Sequence, residues 1–167
     1  MTRQSPSSLR RAAIPEGTLR VKDIFELLPF ENALIVLDMT GEQVLRLLQS
    51  VVIAGDAQSG AQITYRTNTS GRFEFVSASF IDAKGKEIRI DPQAVYPIVT
   101  IDYLYNLKSG SYAILREGKN MQPVGVTLRD AIIDYVKALN AHGVPVRAAL
   151  DNRFTEVTTP AEEGAQK

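Results

Sequence analysis

The chain has 167 residues, of which 44% are hydrophobic and 23% charged, and this is the size and composition of one compact globular domain. Its nineteen basic and nineteen acidic residues cancel, so no strong field steers it toward a nucleic-acid polymer or an anionic membrane surface. The sequence has no apolar run near the roughly 20 residues needed to cross a bilayer, and it has no cysteine for disulfide or thiolate chemistry. We therefore expect no nucleic-acid polymer as a partner and no membrane span.

Both ends of the chain have the composition of flexible segments. Residues 1–13 are small, polar and basic, without the apolar stretch of a secretory signal, and residues 158–167 show no apolar periodicity. We predict a flexible N-terminal segment at residues 1–13, an ordered domain at residues 14–157 and a disordered tail at residues 158–167.

In chain order, the first predicted element is a short helix at residues 21–28, where apolar residues recur at helical spacing until Pro29 stops it. A short, apolar and partly β-branched stretch at residues 33–39 predicts a buried strand. Thr40 and Gln43 then form a capping-box pattern ahead of a second, amphipathic helix.

The middle of the chain is rich in β-forming residues. Strands are predicted at residues 62–66, 72–81, 87–90 and 95–103, with a turn at residues 83–86.

A last amphipathic helix is capped by Thr127 with Asp130, and Gly143 and Pro145 end it. A final strand is expected at residues 153–157. Helices interleaved with antiparallel-looking strands predict an α+β fold.

Residues suited to hydrolytic chemistry are scarce. His142 is the chain's one histidine, and a solvated side chain is expected for it at the end of a helix. The sequence contains no metal-ligand spacing, no Gly-x-Ser-x-Gly elbow and no Gly-rich phosphate loop. We therefore predict no catalytic residue and no metal ligand in this chain.

Two aromatic residues stand where a planar ligand could be held. Phe30 follows Pro29 on a helix-to-strand loop, and Tyr103 ends a predicted strand and begins a loop. Two such rings could form the two sides of a binding slot, where stacking of a planar base on each ring contributes about 1–3 kcal/mol. In the alternative interpretation Phe30 packs on its helix and Tyr103 on the edge of the core, while Asn32 and Asp102 are turn and strand-end residues.

Several stretches spread over residues 9–156 match one family pattern in the right order. They are Ile14-Pro15-Glu16-Gly17, residues 23–32 (DIFELLPFEN), residues 36–44 (VLDMTGEQV), Ser59-Gly60, residues 96–104 (YPIVTIDYL) and Asp151-Asn152-Arg153-Phe154. Together they resemble the 5′-nucleotidase C-terminal domain family, whose members include bacterial UDP-sugar hydrolases and animal ecto-5′-nucleotidases.

The resemblance implies a four-layer α/β/β/α fold and a division of labour between two domains. In this family a separate N-terminal metallophosphoesterase domain holds two metal ions, and the C-terminal domain sandwiches the nucleobase between two aromatics. By motif these aromatics correspond to Phe30 and Tyr103, and Asn32 corresponds to an asparagine near the base. The resemblance also implies a nucleotide or nucleoside ligand, no cofactor in this chain, and a periplasmic or extracellular location.

Two segments depart from the family pattern. The family's phosphate-binding arginine, in an Asn-Gly-Gly-x-Ile-Arg-like segment, corresponds to Arg11 by its spacing to Phe30 and to Arg10 by local pattern, and the glycines are absent. The family's Gly-Gly-Asp-Gly-Phe/Tyr loop is replaced by Lys108-Ser109-Gly110-Ser111-Tyr112, which is one residue longer. This loop has no carboxylate, and Ser109 is its candidate substrate contact.

The leading interpretation is a substrate-recognition domain of a 5′-nucleotidase-like metallophosphoesterase that is not catalytic without the metal-binding domain. A second interpretation is a protein-interaction module that keeps the fold and has lost the ligand site, as the altered loop would permit. A third, an enzyme in its own right, is disfavoured by the single histidine and the lack of a metal motif.

Overall fold

The computed structural model describes residues 16–82, 84–147 and 150–157. The predicted flexible segments at residues 1–13 and 158–167, and Ala83 of the predicted turn, lie outside these ranges. The elements are, in chain order, α1 (Val21–Leu27), β1 (Ala33–Thr40), α2 (Gly41–Ala54), β2 (Ala61–Thr67), β3 (Phe73–Ile81), β4 (Glu87–Arg89), β5 (Val95–Ile101), α3 (Asp102–Asn106), a 3-10 helix (Ala113–Glu117), β6 (Lys119–Thr127), α4 (Leu128–Ala141) and β7 (Phe154–Glu156).

Most elements lie where local sequence signals place them. α1 ends at Leu27, two residues before Pro29. The predicted capping box at α2 is confirmed, because Thr40 Oγ1 accepts a hydrogen bond from the Gln43 amide at 3.3 Å and Gln43 Oε1 accepts one from the Thr40 amide at 2.8 Å. At α4, Thr127 Oγ1 accepts from the Asp130 amide at 3.1 Å.

Two elements differ from the sequence-based expectation. The strand predicted at residues 95–103 ends at Ile101, and Tyr103 lies in the short helix α3, where the Asp102 carboxylate accepts its amide hydrogen at 2.8 Å. β6 was not predicted, since Pro123 and Gly125 disfavour a strand. It forms as an edge strand, the place in a sheet where a missing backbone donor is tolerated.

The strands form two sheets. The first has the order β5-β1-β6 and is antiparallel, while the second has the order β4-β3-β2-β7 with β7 parallel to β2. In the first sheet Leu34 lies opposite Ile101, and Ala33 lies opposite Thr127. The start of β1 and the ends of β5 and β6 therefore meet at one end of this sheet.

The hydrophobic core draws on both sheets and on α2. β1 alternates strictly, burying Ile35, Leu37 and Met39 on one face. α2 contributes a stripe at helical spacing, and β2 and the 3-10 helix add Ile63 and Leu115, both 0% exposed. The predicted α+β class, with two sheets, is confirmed. None of the helices in the described ranges has the length and apolar character that crossing a membrane requires.

Candidate functional site

The predicted ligand-binding residues Phe30, Asn32 and Tyr103 come together at one end of the first sheet. Phe30 and Asn32 lie on the loop that enters β1, and Tyr103 follows the end of β5. Because β1 and β5 are antiparallel neighbours with Leu34 opposite Ile101, the loop before β1 and the chain after β5 leave the sheet side by side.

The carboxylate of Asp102 ties these two chain segments together. Its Oδ1 accepts a hydrogen bond from the Ala33 amide at 3.0 Å and another from the Tyr103 amide at 2.8 Å. The sequence suggested only a strand-end residue at this position. The structure shows that one oxygen fixes the backbone on both sides of the candidate site.

Both candidate rings are open to solvent. Phe30 is 59% exposed and Tyr103 is 54% exposed, and neither belongs to the core cluster. Among the aromatic pairs found in the described part of the chain, none includes Phe30 or Tyr103. More than half of the surface of each residue is therefore accessible to a partner or ligand.

Asn32 and the remaining predicted residues differ in how exposed they are and in whether the structure describes them. Asn32 is half-buried, and its backbone carbonyl accepts a hydrogen bond from the Leu128 amide at 2.9 Å. Ser109 is exposed on the loop between α3 and the 3-10 helix. Arg10 and Arg11 lie outside the described residues.

Arg129, which sequence reasoning did not single out, holds the loop that carries Phe30. It is 6% exposed, in the first turn of α4, and its Nη2 donates to Glu31 Oε1 at 2.9 Å while Nη1 donates to the Leu28 carbonyl at a long 3.5 Å. Its guanidinium lies 4.0 Å from the centre of the Phe25 ring, within cation–π range. An arginine in the first turn of an amphipathic helix is typical of the surface, so no local signal marks this one as buried.

Tyr112 anchors the loop that differs from the family pattern. Its side chain is buried, and its hydroxyl donates to Asp56 Oδ2 at 2.5 Å. Burial, reinforced by the bond to the Asp56 carboxylate, raises the pKa of the Tyr112 phenol well above its usual range. The loop at residues 107–112 is thereby fastened to the residues that follow α2.

Two clefts lie away from these residues. One of about 170 Å³ is lined by Val52, Gly55, Asp56, Tyr65, Phe73 and Phe154, and a broad groove of about 860 Å³ runs between residues 16–19 and the C-terminal part of α4 with the residues after it. Neither contains Phe30 or Tyr103. A base stacked between two exposed rings does not require an enclosed cavity.

The described residues do not form a metal centre. Across residues 16–82, 84–147 and 150–157, no three His, Cys, Asp or Glu side chains are grouped so that they could hold a metal ion. The side chains at the candidate site are instead suited to stacking and hydrogen bonding.

Comparison with known proteins finds two curated relatives, a nucleotide phosphoesterase and an apyrase. The chain is 22% identical over 160 residues to the trifunctional nucleotide phosphoesterase protein YfkN of Bacillus subtilis, and 26% identical over 140 residues to an apyrase of Tabanus yao. These alignments cover 92% and 76% of this chain but 11% and 25% of the relatives. The chain thus spans a quarter or less of the length of the curated relatives it matches.

Solved structures share the fold. A 5′-nucleotidase precursor from Thermus thermophilus superposes with a TM-score of 0.72 at 26% identity, covering 90% of this chain and 30% of that protein. The NAD nucleotidase of Haemophilus influenzae superposes with a TM-score of 0.63 at 18% identity, covering 84% of this chain and 27% of that one. The family model for the 5′-nucleotidase C-terminal domain matches residues 3–117, more than half of the sequence. The chain therefore belongs to the 5′-nucleotidase C-terminal domain family.

Proposed function

We propose that this chain is the substrate-recognition domain of a 5′-nucleotidase-like metallophosphoesterase and that it stacks a nucleobase between Phe30 and Tyr103. The observation that carries the proposal is the pair of rings, 59% and 54% exposed, on two segments that the Asp102 carboxylate fastens at one end of a sheet. Fixed backbones and open ring faces are what a stacking slot requires.

The remaining candidates take supporting roles in this proposal. Asn32, beside Phe30, would hydrogen-bond to the base, and Ser109 would contact the ligand from the neighbouring loop. Arg10 or Arg11 would bind the phosphate, a role that comes from the family resemblance alone. Recognition of this kind positions a substrate and leaves the chemical step to other groups.

The divalent metals belong, in this proposal, to an N-terminal metallophosphoesterase domain acting in cis or in trans. The donor set in the described part of this chain does not fit a metal ion. The relatives support a second domain, since the matched region is only 30% of the Thermus protein and 25% of the apyrase. Bound metals would supply activated water, whereas this chain's residues would bind and orient the nucleotide.

The names of the relatives support a nucleotide or nucleoside as the ligand, because one is a nucleotide phosphoesterase and another a 5′-nucleotidase. A periplasmic or extracellular location is part of the same proposal. One of the solved relatives is described as a precursor, which agrees with export.

The test is an NMR amide-shift titration with adenosine, AMP and UMP on the wild type, Phe30→Ala and a control, Phe73→Ala, whose ring lies on β3 of the second sheet. We expect saturable shifts near residues 28–33 and 101–104. Phe30→Ala should weaken binding about 5- to 150-fold, the equivalent of 1–3 kcal/mol for one stacking contact, and Phe73→Ala should not. A folded protein without shifts at millimolar ligand would contradict base recognition.

A second candidate function is a non-catalytic protein-interaction module that retains the fold. It is favoured by the side chains of Val95 and Val99 on the edge strand β5, which are 61% and 59% exposed, and by the absence of a carboxylate in the loop at residues 108–112. A negative titration would move the assignment to this function.

A further inference from the structure

Arg129 occupies an interior position that electrostatics alone does not favour. The residue is 6% exposed, and its Nε is buried with no hydrogen-bond partner among the described residues. Its ion-pair partner Glu31 is 79% exposed, so the pair gains little from its surroundings. A buried guanidinium with an unsatisfied N–H costs free energy, and a well-packed apolar side chain in its place is often neutral or stabilising. Arg129 is therefore expected to matter less for the free energy of folding than for the orientation of the loop that it contacts.

The hydrogen bonds and the cation–π contact of Arg129 found among the described residues all involve residues 25–31, around Phe30. Phe25 and the Leu28 carbonyl precede it in the chain, and the Glu31 carboxylate follows it directly. The guanidinium is planar with donors in a fixed fork, so it holds two acceptors in one relative geometry, which a lysine ammonium does not.

The first turn of α4 fastens both sides of this loop. The Leu128 amide donates to the Asn32 carbonyl at 2.9 Å, on the side of β1, and Arg129 reaches Leu28 and Glu31 on either side of Phe30. α4 lies beyond residues 3–117, the part matched by the family model. The candidate site thus depends on a helix outside the matched segment.

We propose that Arg129 is a positioning residue that presets the loop at residues 28–32, holding the Phe30 ring in the orientation that stacks on a base. The ligand-binding part of this inference rests on the proposed function, and the loop-ordering part does not. A loop that samples several conformations binds more weakly in proportion to the fraction of molecules in the competent one. Loss of Arg129 should weaken contacts to the base and leave contacts to a phosphate unchanged.

The experiment compares the wild type with Arg129→Met, Arg129→Lys and Glu31→Ala. In ligand-free protein, NMR relaxation should show the order parameters of the amides at residues 30 and 31 falling from about 0.85 to below about 0.6 in Arg129→Met, with β2 unchanged. Adenosine should bind this variant about tenfold more weakly, whereas ribose 5-phosphate, which lacks a base, should bind as it does to the wild type. Arg129→Lys should restore only part of the order, because it keeps the charge without the fork.

The outcomes separate this inference from the proposed function. A loop in Arg129→Met as ordered as in the wild type would overturn the positioning role, with or without a ligand. Loosening of the loop with unchanged adenosine affinity would overturn its link to base recognition. Failure of the wild type to bind adenosine would refute the proposed function alone, since the relaxation measurement contains no ligand. Should Arg129→Met not fold, Glu31→Ala decides the question, because it removes the acceptor of Arg129 Nη2 at an exposed position and should loosen the loop to a smaller degree.

Discussion

Replacing Tyr112 with phenylalanine removes one hydroxyl and tests the anchor of the loop at residues 107–112. The hydroxyl lies 2.5 Å from Asp56 Oδ2, and the Tyr112 side chain is 9% exposed. A hydrogen bond to a charged group contributes about 1.5–3 kcal/mol, and its loss leaves the half-buried Asp56 carboxylate without this donor. We expect Tyr112→Phe to lower the free energy of unfolding at pH 7 by about that amount.

The same substitution should change the response to alkaline pH. The pKa of Tyr112 is raised above 10.0 by burial and by the bond to Asp56. Below pH 10 the phenol is protonated in both states, and its stabilising contribution is complete. Above pH 10 the unfolded phenol loses its proton while the folded one keeps it, so the unfolded state binds fewer protons and the free energy of unfolding falls with rising pH. Titration of Tyr112 lowers the free energy of unfolding with a slope that approaches about 1.4 kcal/mol per pH unit. Tyr112→Phe should remove this part of the pH dependence.

The assay is urea unfolding followed by far-ultraviolet circular dichroism, since the chain has no tryptophan. The control is Tyr135→Phe, whose ring is 62% exposed and which should change stability by less than about 0.5 kcal/mol. A double-mutant cycle with Asp56→Ala, which removes the acceptor, should give a coupling energy of at least about 1 kcal/mol. A loss below about 0.5 kcal/mol at pH 7, or an unchanged alkaline slope, would refute the reasoning.

Substitutions at two further positions test other parts of the fold by the same unfolding assay. Asp102→Ala should cost about 1–3 kcal/mol, because the amides of Ala33 and Tyr103 lose their acceptor, and Asp102→Asn, which keeps an acceptor oxygen, should retain most of the stability. Equal losses in the two variants would argue against this role. Leu115→Ala, at a position 0% exposed in the core, should cost about 2–5 kcal/mol. A loss below about 1 kcal/mol would mean that the core around the 3-10 helix can collapse onto the cavity.

Local chemistry explains why most elements were predictable. The Thr40 and Thr127 caps, the stop at Pro29 and the alternation of β1 each depend on residues within a few positions of one another. β6 and α3 were not predictable in this way. Pairing with β1 overrides the weak strand preference of Pro123 and Gly125, and a five-residue helix has too few turns to leave a periodic pattern.

The features of the candidate site also divide into those that local sequence predicts and those that only the tertiary structure shows. The sequence by itself determined the α+β class and the family, and a matching motif predicts Phe30, Asn32 and Tyr103 as the candidate site residues. The tertiary structure decided that these residues share one end of a sheet, and it showed that Asp102 and Arg129 contact the segments that carry them. The Asp102–Ala33 and Arg129–Glu31 hydrogen bonds join residues 69 and 98 positions apart. Contacts at such separations depend on strand pairing and helix packing, so no local stretch of sequence specifies them.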